Sequence, residues 1–281
     1  MIYINDNSNI NYIIASGILG FDGRGHYLKL QTRMAIKKNP KLFTITLKTL
    51  TRNPNKGNYI WNPRKVIKHI PFGILNAVGL KNPGIKYWEN NIQPRIQWKE
   101  NSLIASIYAE NESELQYLIY KLEKYPFEAI EINSSCPNVL ELPIEFLLNI
   151  SKIANEITNK SIILKVSANQ NYIQLIKANY KFISAISINS VPWNLIFSSR
   201  SPLSDFGNGA LSGGITQSIV WRMIKEISDL NLAPIIGSGI WWKEDISEIR
   251  KYGARAISFG ACFAHHPKEI ISWVKEDLKS N

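Results

Sequence analysis

Hydrophobic residues recur along the chain in two alternating rhythms. Short apolar, β-branched runs occur at 12–15, 43–47, 103–107, 129–132, 162–166, 182–188, 233–236 and 256–259. Each has the length of a buried strand. Between the later runs lie segments with apolar residues at helical spacing. Residues 113–125 place Leu115, Leu118, Ile119 and Leu122 on one face. Residues 143–158 open on Pro143 and align Phe146, Leu147, Ile150, Ile153, Ala154 and Ile157. Segments 216–230, 243–252 and 267–278 read the same way. Thr216 is expected to cap the first of these, and Gly253 to stop the second.

Eight strand runs alternating with helices over about 250 residues predict an α/β fold, a parallel (β/α)8 TIM barrel. The whole chain, 1–281, is expected to be one domain. An open doubly wound sheet is the rival architecture. Residues 48–98 break the alternation. This stretch is rich in Pro, Gly and Asn, and reads as a long loop excursion between the second and third strands. In a barrel it would cover the C-terminal mouth, where active sites lie.

Composition narrows the class. Of 281 residues, 45% are apolar and 20% charged, as in an ordinary globular protein. No apolar run is long enough to span a membrane, and the polar start of the chain does not read as a secretory signal. Two cysteines are too few for a disulfide framework or a structural zinc site, and fit a reducing, cytoplasmic setting. The net charge of +11 suggests an anionic partner, but the lysines and arginines are scattered, so a solvated basic surface explains the charge equally simply.

Candidate chemistry gathers at the ends of the strand runs. Ala15, Ser16 and Gly17 end the first run, and Lys48 and Thr49 the second. Asn133 to Asn138, with Cys136 among them, follow the fourth. Lys165 lies in the fifth, and Asn189 and Ser190 end the sixth. One polar group there could be a cap, whereas a set on one barrel face is the pattern of a catalytic site. Gly237, Ser238 and Gly239 follow the seventh run and Gly260 and Ala261 the eighth. Glycine turns there, each before a helix, predict phosphate binding. Lys165 would be buried, which an ammonium tolerates only beside an anion. Cys136 has polar neighbours and can serve as a proton acceptor, whereas Cys262 reads as a small buried hydrophobe. Four scattered histidines fit no metal site.

The segments IASGILGFDG, LKTLTRNPNKGN, GILNAVGLKNPG, EINSSCPNV, LKVSAN, SINS, GALSGG, PIIGSGI and SFGACF occur in that order over nearly the whole chain. Together they resemble the dihydroorotate dehydrogenases, FMN-containing barrels of pyrimidine synthesis. The resemblance implies oxidation of (S)-dihydroorotate to orotate. Cys136 would be the general base at carbon 5, with hydride leaving carbon 6 for the flavin. Lys48, Asn76, Ala77, Val78, Gly79, Leu80, Asn133, Asn138, Asn189 and Ser190 would contact substrate. FMN would be held by Ala15, Ser16, Gly17, Lys48, Thr49, Ser106, Asn133, Lys165, Ile188, Gly213, Gly237, Ser238, Gly239, Gly260 and Ala261.

Cysteine at the base position resembles class 1, and LNAVGLKNPG with LKVSAN is closer to type 1B. That type implies a homodimer with a partner subunit carrying FAD and an iron–sulfur cluster, and no nucleic-acid or membrane partner. Some positions depart from the family pattern. Ser106 stands where asparagine is usual, Ser238–Gly239 replaces a glycine pair, and the loop after Asn138 is short. The tRNA dihydrouridine synthases are a rival flavin barrel. They would show an arginine two residues after Lys165, where Ser167 stands, and a His-x-Arg where Asn189 and Ser190 stand. A degenerate, non-enzymatic scaffold would have lost part of the Asn, Cys and Lys set, all of which is present.

Overall fold

Strands buried on both faces suit an open doubly wound sheet as well as a barrel, and here they close on themselves. The computed structural model describes residues 1–5, 8–26, 28, 30–58, 65–134 and 142–280. A hairpin of β1 (Ile2–Asn5) and β2 (Ser8–Ile10) comes first. It is followed by β3 (Tyr12–Ile14), β4 (Thr44–Thr46), β5 (Ile67–Ile70), β6 (Gly73–Asn76), β7 (Ser102–Ile107), β8 (Ala129–Asn133) and β9 (Ser161–Val166). Then come β10 (Ala185–Ile188), β11 (Val191–Pro192), β12 (Ala210–Gly213), β13 (Ile235–Gly237) and β14 (Ala254–Phe259). Strands β3, β4, β7, β8, β9, β10, β13 and β14 form a closed parallel barrel, so the open-sheet alternative is excluded. All eight strand runs read from the sequence are in its wall. Two start later than the pattern suggests. Residues 180–182 complete a helical turn before β10, and Pro234, which has no N–H to donate, precedes β13.

Helices α1 (Leu30–Lys37), α2 (Ile85–Tyr87), α3 (Glu112–Glu123), α4 (Ile144–Asn155), α5 (Tyr172–Asn179), α6 (Gln217–Leu230), α7 (Asp245–Lys251), α8 (Ala261–His265) and α9 (Pro267–Ser280) accompany the strands. Their apolar faces pack on the outward residues of the wall, and Leu118, Ile150, Ile176, Ile224 and Ile249 share one buried cluster with Ile130, Leu164, Ile186 and Ile257. Gly253 ends α7 at φ +111°, where a Cβ would strike the Ser228 hydroxyl. Thr216 stands before α6 as expected but does not cap it. Its hydroxyl donates to the Gly213 carbonyl at 2.7 Å.

Inside the wall, period-two alternation sorts the residues into layers. Ile13, Ile104, Ala129, Ile163, Ala185, Ile236 and Ala256 form a small inner core, plugged from below by Ile2 and Ile10 of the β1–β2 hairpin. Two residues further along the same strands stand Ala15, Ser106, Glu131, Lys165, Ser187, Ser238 and Ser258. The barrel therefore turns from apolar to polar one step below its mouth.

The 48–98 excursion corrects the expectation of a loop. Residues 67–76 form a hairpin, β5–β6, and β6 pairs antiparallel with β12, which pairs with β11. The result is a four-stranded satellite sheet above the barrel, with its own core of Leu75, Ala77, Trp193, Leu203 and Leu211. Among the described residues, no helix is long and apolar enough to cross a membrane.

Candidate functional site

The C-terminal mouth of the barrel, roofed by the satellite sheet, encloses a cavity of about 2010 Å³. Ordinary small-ligand pockets are ~300–1000 Å³. There is room here for two stacked ring systems. Its floor is the apolar layer, with Ile13, Ile104, Ile163 and Ile236 on its surface.

The strand ends bring most of the expected residues to this one space. Ala15, Ser16, Gly17, Lys48, Asn76, Val78, Lys165, Ile188, Asn189, Ser190, Gly213, Ser238, Gly239, Gly260 and Ala261 all line it. Asn133 stands beside it, 5% exposed, and its Oδ1 accepts from Asn189 Nδ2 at 3.1 Å. That bond ties the end of β8 to the end of β10. Asn189 Oδ1 accepts in turn from the Ser190 N–H at 2.9 Å.

Other expected residues stand away from the cavity wall. Thr49 and Ser106 are buried behind it, their hydroxyls 2.9 Å apart, and Thr49 reaches Ser16 at 3.2 Å. Gly237 faces the helices, and a Cβ there would meet Ile249 and Ala254. Ala77, Gly79 and Leu80 belong to the turn that carries Val78 and Lys81. Asn82 organises that turn. Its Oδ1 accepts from the N–H groups of Thr51 and Gly84, and its Nδ2 donates to the Leu80 carbonyl. Cys136 and Asn138 lie outside the described residues. The last described residue before them is Ser134, whose hydroxyl donates to the Lys165 carbonyl at 2.7 Å.

The two glycine turns differ. After Gly239, at φ +87°, the chain runs to residue 244 before α7 begins, so the helix that follows does not start at this turn, contrary to the sequence reading; the first residue of α6, Gln217, adjoins it instead, its Cα 3.7 Å from where a Gly239 Cβ would stand. Asp245 instead fixes the connection, accepting from the N–H groups of Trp241 and Trp242 at 2.7 and 2.8 Å. Gly260 leads directly into α8, and a Cβ there would meet only the Ala15 Cβ, at 3.7 Å. The turn thus leaves room for a ligand atom close to the backbone.

The charge around the cavity is unbalanced. Lys48, Lys56, Lys68, Lys81, Arg95, Lys165 and Lys268 line it against Asp22, Glu131 and Glu269. Part of the surplus charge is therefore concentrated at the site, which suits an anionic ligand. Lys165 pairs with Glu131 at 3.2 Å. Sequence reasoning foresaw that Lys165 needs an anion but missed this carboxylate, because it lies within an apolar run. Its signal was its register, two residues after an inward alanine. At the rim, His69 of β5 meets His265 of α8, with Nδ1 and Nε2 3.0 Å apart. Burial, with His69 and His266 nearby, holds the His265 imidazole below its ordinary pKa. Cys262 is buried, and desolvation pushes its thiol up to about 12, as befits a packing residue. Among the described residues no cluster of His, Cys, Asp and Glu could hold a metal ion.

A family model described as dihydroorotate dehydrogenase matches residues 9–281. The chain is 32% identical over 283 residues to the protein from Thermoanaerobacter pseudethanolicus named dihydroorotate dehydrogenase B (NAD(+)), catalytic subunit, covering 95% of this chain and 89% of that one. A protein of the same name from Thermoplasma volcanium is 31% identical over 279 residues, covering 96% of this chain and 88% of that one.

Proposed function

The chain belongs to the dihydroorotate dehydrogenase family and is an oxidoreductase, and from that premise we propose that it binds FMN in the barrel mouth and oxidises (S)-dihydroorotate to orotate in pyrimidine biosynthesis. The observation that carries this reading is the convergence on one cavity of hydroxyl, amide, lysine and glycine-turn residues from separate strand ends.

The donor set suits FMN. Gly239, Gly260 and Ala261 offer backbone N–H groups where a phosphate would lie, and Gly213 and Ser238 line the path of the ribityl chain. Ser16 and Lys165 stand where the ring system would rest. FMN would supply a two-electron acceptor for the hydride. The protein's own groups would do the rest. Asn76, Asn133, Asn189 and Ser190 would hydrogen-bond the planar, polar substrate, and Lys48 would counter its negative charge. The roof made by β6 and β12 would keep water from the reacting carbons. Cys136 would take the proton from carbon 5 as its thiolate, and its return to the thiol would complete the proton transfer.

The relatives' names point further, to a type 1B catalytic subunit. We place the chain in the cytoplasm as a single-domain homodimer. A partner carrying FAD and an iron–sulfur cluster would pass electrons on to NAD.

The test is to mix purified protein with dihydroorotate anaerobically and follow flavin bleaching. Bleaching is expected. Protein that takes up no flavin, even on reconstitution with FMN, refutes the reading. Cys136→Ala should keep its flavin yet reduce it more slowly, by a factor on the order of 10² or more. Cys136→Ser should retain a little activity that rises at high pH. Cys262→Ala is the control, expected to disturb packing rather than proton transfer.

A further inference from the structure

In the cavity lining stands a carboxylate for which the reaction just described has no use. Glu131 projects from β8 into the barrel and is 5% exposed. Its Oε1 accepts from the Ser106 hydroxyl at 3.0 Å and from Lys165 Nζ at 3.2 Å. Its Oε2 accepts from the Ser187 hydroxyl at 3.1 Å. The donors come from β7, β9 and β10, so three strands fix one side chain. Thr49 continues the chain from Ser106 to Ser16, at the cavity wall.

A buried ion pair is weak grounds for stability, because apolar residues of equal volume often serve as well. Nor does anion binding call for it, since an unpaired lysine would attract a ligand more strongly. What the pair does is hold the Lys165 ammonium at one point and oppose its charge. We propose that Glu131 is a positioning residue that tunes, through Lys165, the reduction potential of the flavin. This rests on the FMN reading above. Reduction adds negative charge to the flavin ring, which a nearby cation favours. A carboxylate paired with that cation lessens the effect. Glu131 thereby holds the potential down and keeps the reduced flavin ready to give up its electrons.

The test is the midpoint potential of FMN bound to wild type and to Glu131→Gln, which keeps the shape and loses the charge. Relative affinity for reduced over oxidised flavin should rise about tenfold in the variant, a shift of about 30 mV to the positive for a two-electron couple. In a Lys165→Met background the same change should leave the potential where it was, because the group it acts through is gone. An unchanged or more negative potential in Glu131→Gln overturns the proposal, as does an equal shift without Lys165. Should the Gln variant not fold, Glu131→Asp decides. Its carboxylate retreats by one methylene and should move the potential the same way by less; an unmoved potential overturns the proposal. Wild type that binds no flavin refutes the FMN reading and this inference together, whereas bound flavin with no shift refutes this inference alone.

Discussion

The barrel wall and the satellite sheet above it contribute to the same cavity but are built in opposite ways. The wall strands pair with neighbours whose intervening helices repeat a local pattern, and every strand has two partners. The satellite sheet joins short strands from distant parts of the chain. Asn76 reaches the Ala210 carbonyl across 134 residues. The wall presents charge and hydroxyls on a rigid floor. The satellite presents amides and glycine backbone in a roof held by a much smaller apolar core. The difference teaches that this site is half scaffold and half attachment. The floor should therefore fail only with the whole fold, while the roof should open by itself.

The largest test of that contrast lies in the floor. Lys165→Met leaves the Glu131 carboxylate buried without its cation and should cost about 3–5 kcal/mol of global stability. Adding Glu131→Gln should recover much of the loss. Denaturant unfolding checks both, and a single variant as stable as wild type would show that the floor is not built on this pair.

A smaller effect is expected in the roof. Gly213 sits at φ +104°, and a Cβ there would approach the Phe72 carbonyl at 2.7 Å. Gly213→Ala should cost ~1–3 kcal/mol. That cost should appear as faster hydrogen exchange over 67–76 and 210–213, with the barrel strands still protected. Equal loss of protection in both regions would erase the distinction drawn here.

The smallest effect is the response to pH. His265 has its folded-state pKa below the ordinary ~6.5, first through burial and then through His69 and His266. The open or unfolded state therefore binds more protons as the pH falls through 6.5. The rim contact between β5 and α8 should be fully stable above that value and weaken as the pH drops towards the folded pKa. Exchange over 67–70 compared at about pH 7.5 and about pH 5.5 should show it, and His265→Gln should flatten the dependence.

The same contrast governs what could be read without coordinates. The barrel was legible because each wall strand carries its own signal, a short apolar run followed by a helical one. The satellite was not. Strands such as Val191–Pro192 and Ala210–Gly213 are two and four residues long, and their pairing depends on residues far away in the chain. Strand-end residues such as Ser16, Lys48 and Asn189 could be placed on one face by the barrel rule alone. Roles for Asn76 and Gly213 came only through family resemblance, since nothing local shows that a hairpin would meet β12. Glu131 was hidden for a third reason. Its meaning lies in side chains from three other strands, Ser106, Lys165 and Ser187, each at least 25 residues away in the chain.

The distance between the halves of the roof also matters while the chain is being made. A ribosome adds about 5–20 residues per second, so the 134 residues between Asn76 and Ala210 take roughly 7–27 s to synthesise. Through that interval β6 has β5 on one edge and nothing on the other, and Leu75, fully buried in the finished protein, has no core to enter. An unpaired apolar edge on a nascent chain is a template for wrong pairing. Lys68 and His69 guard the other side: they lie on β5, the outer strand of the finished sheet, and put polar side chains on the edge that stays unpaired, the kind of guard that discourages a second chain from docking there.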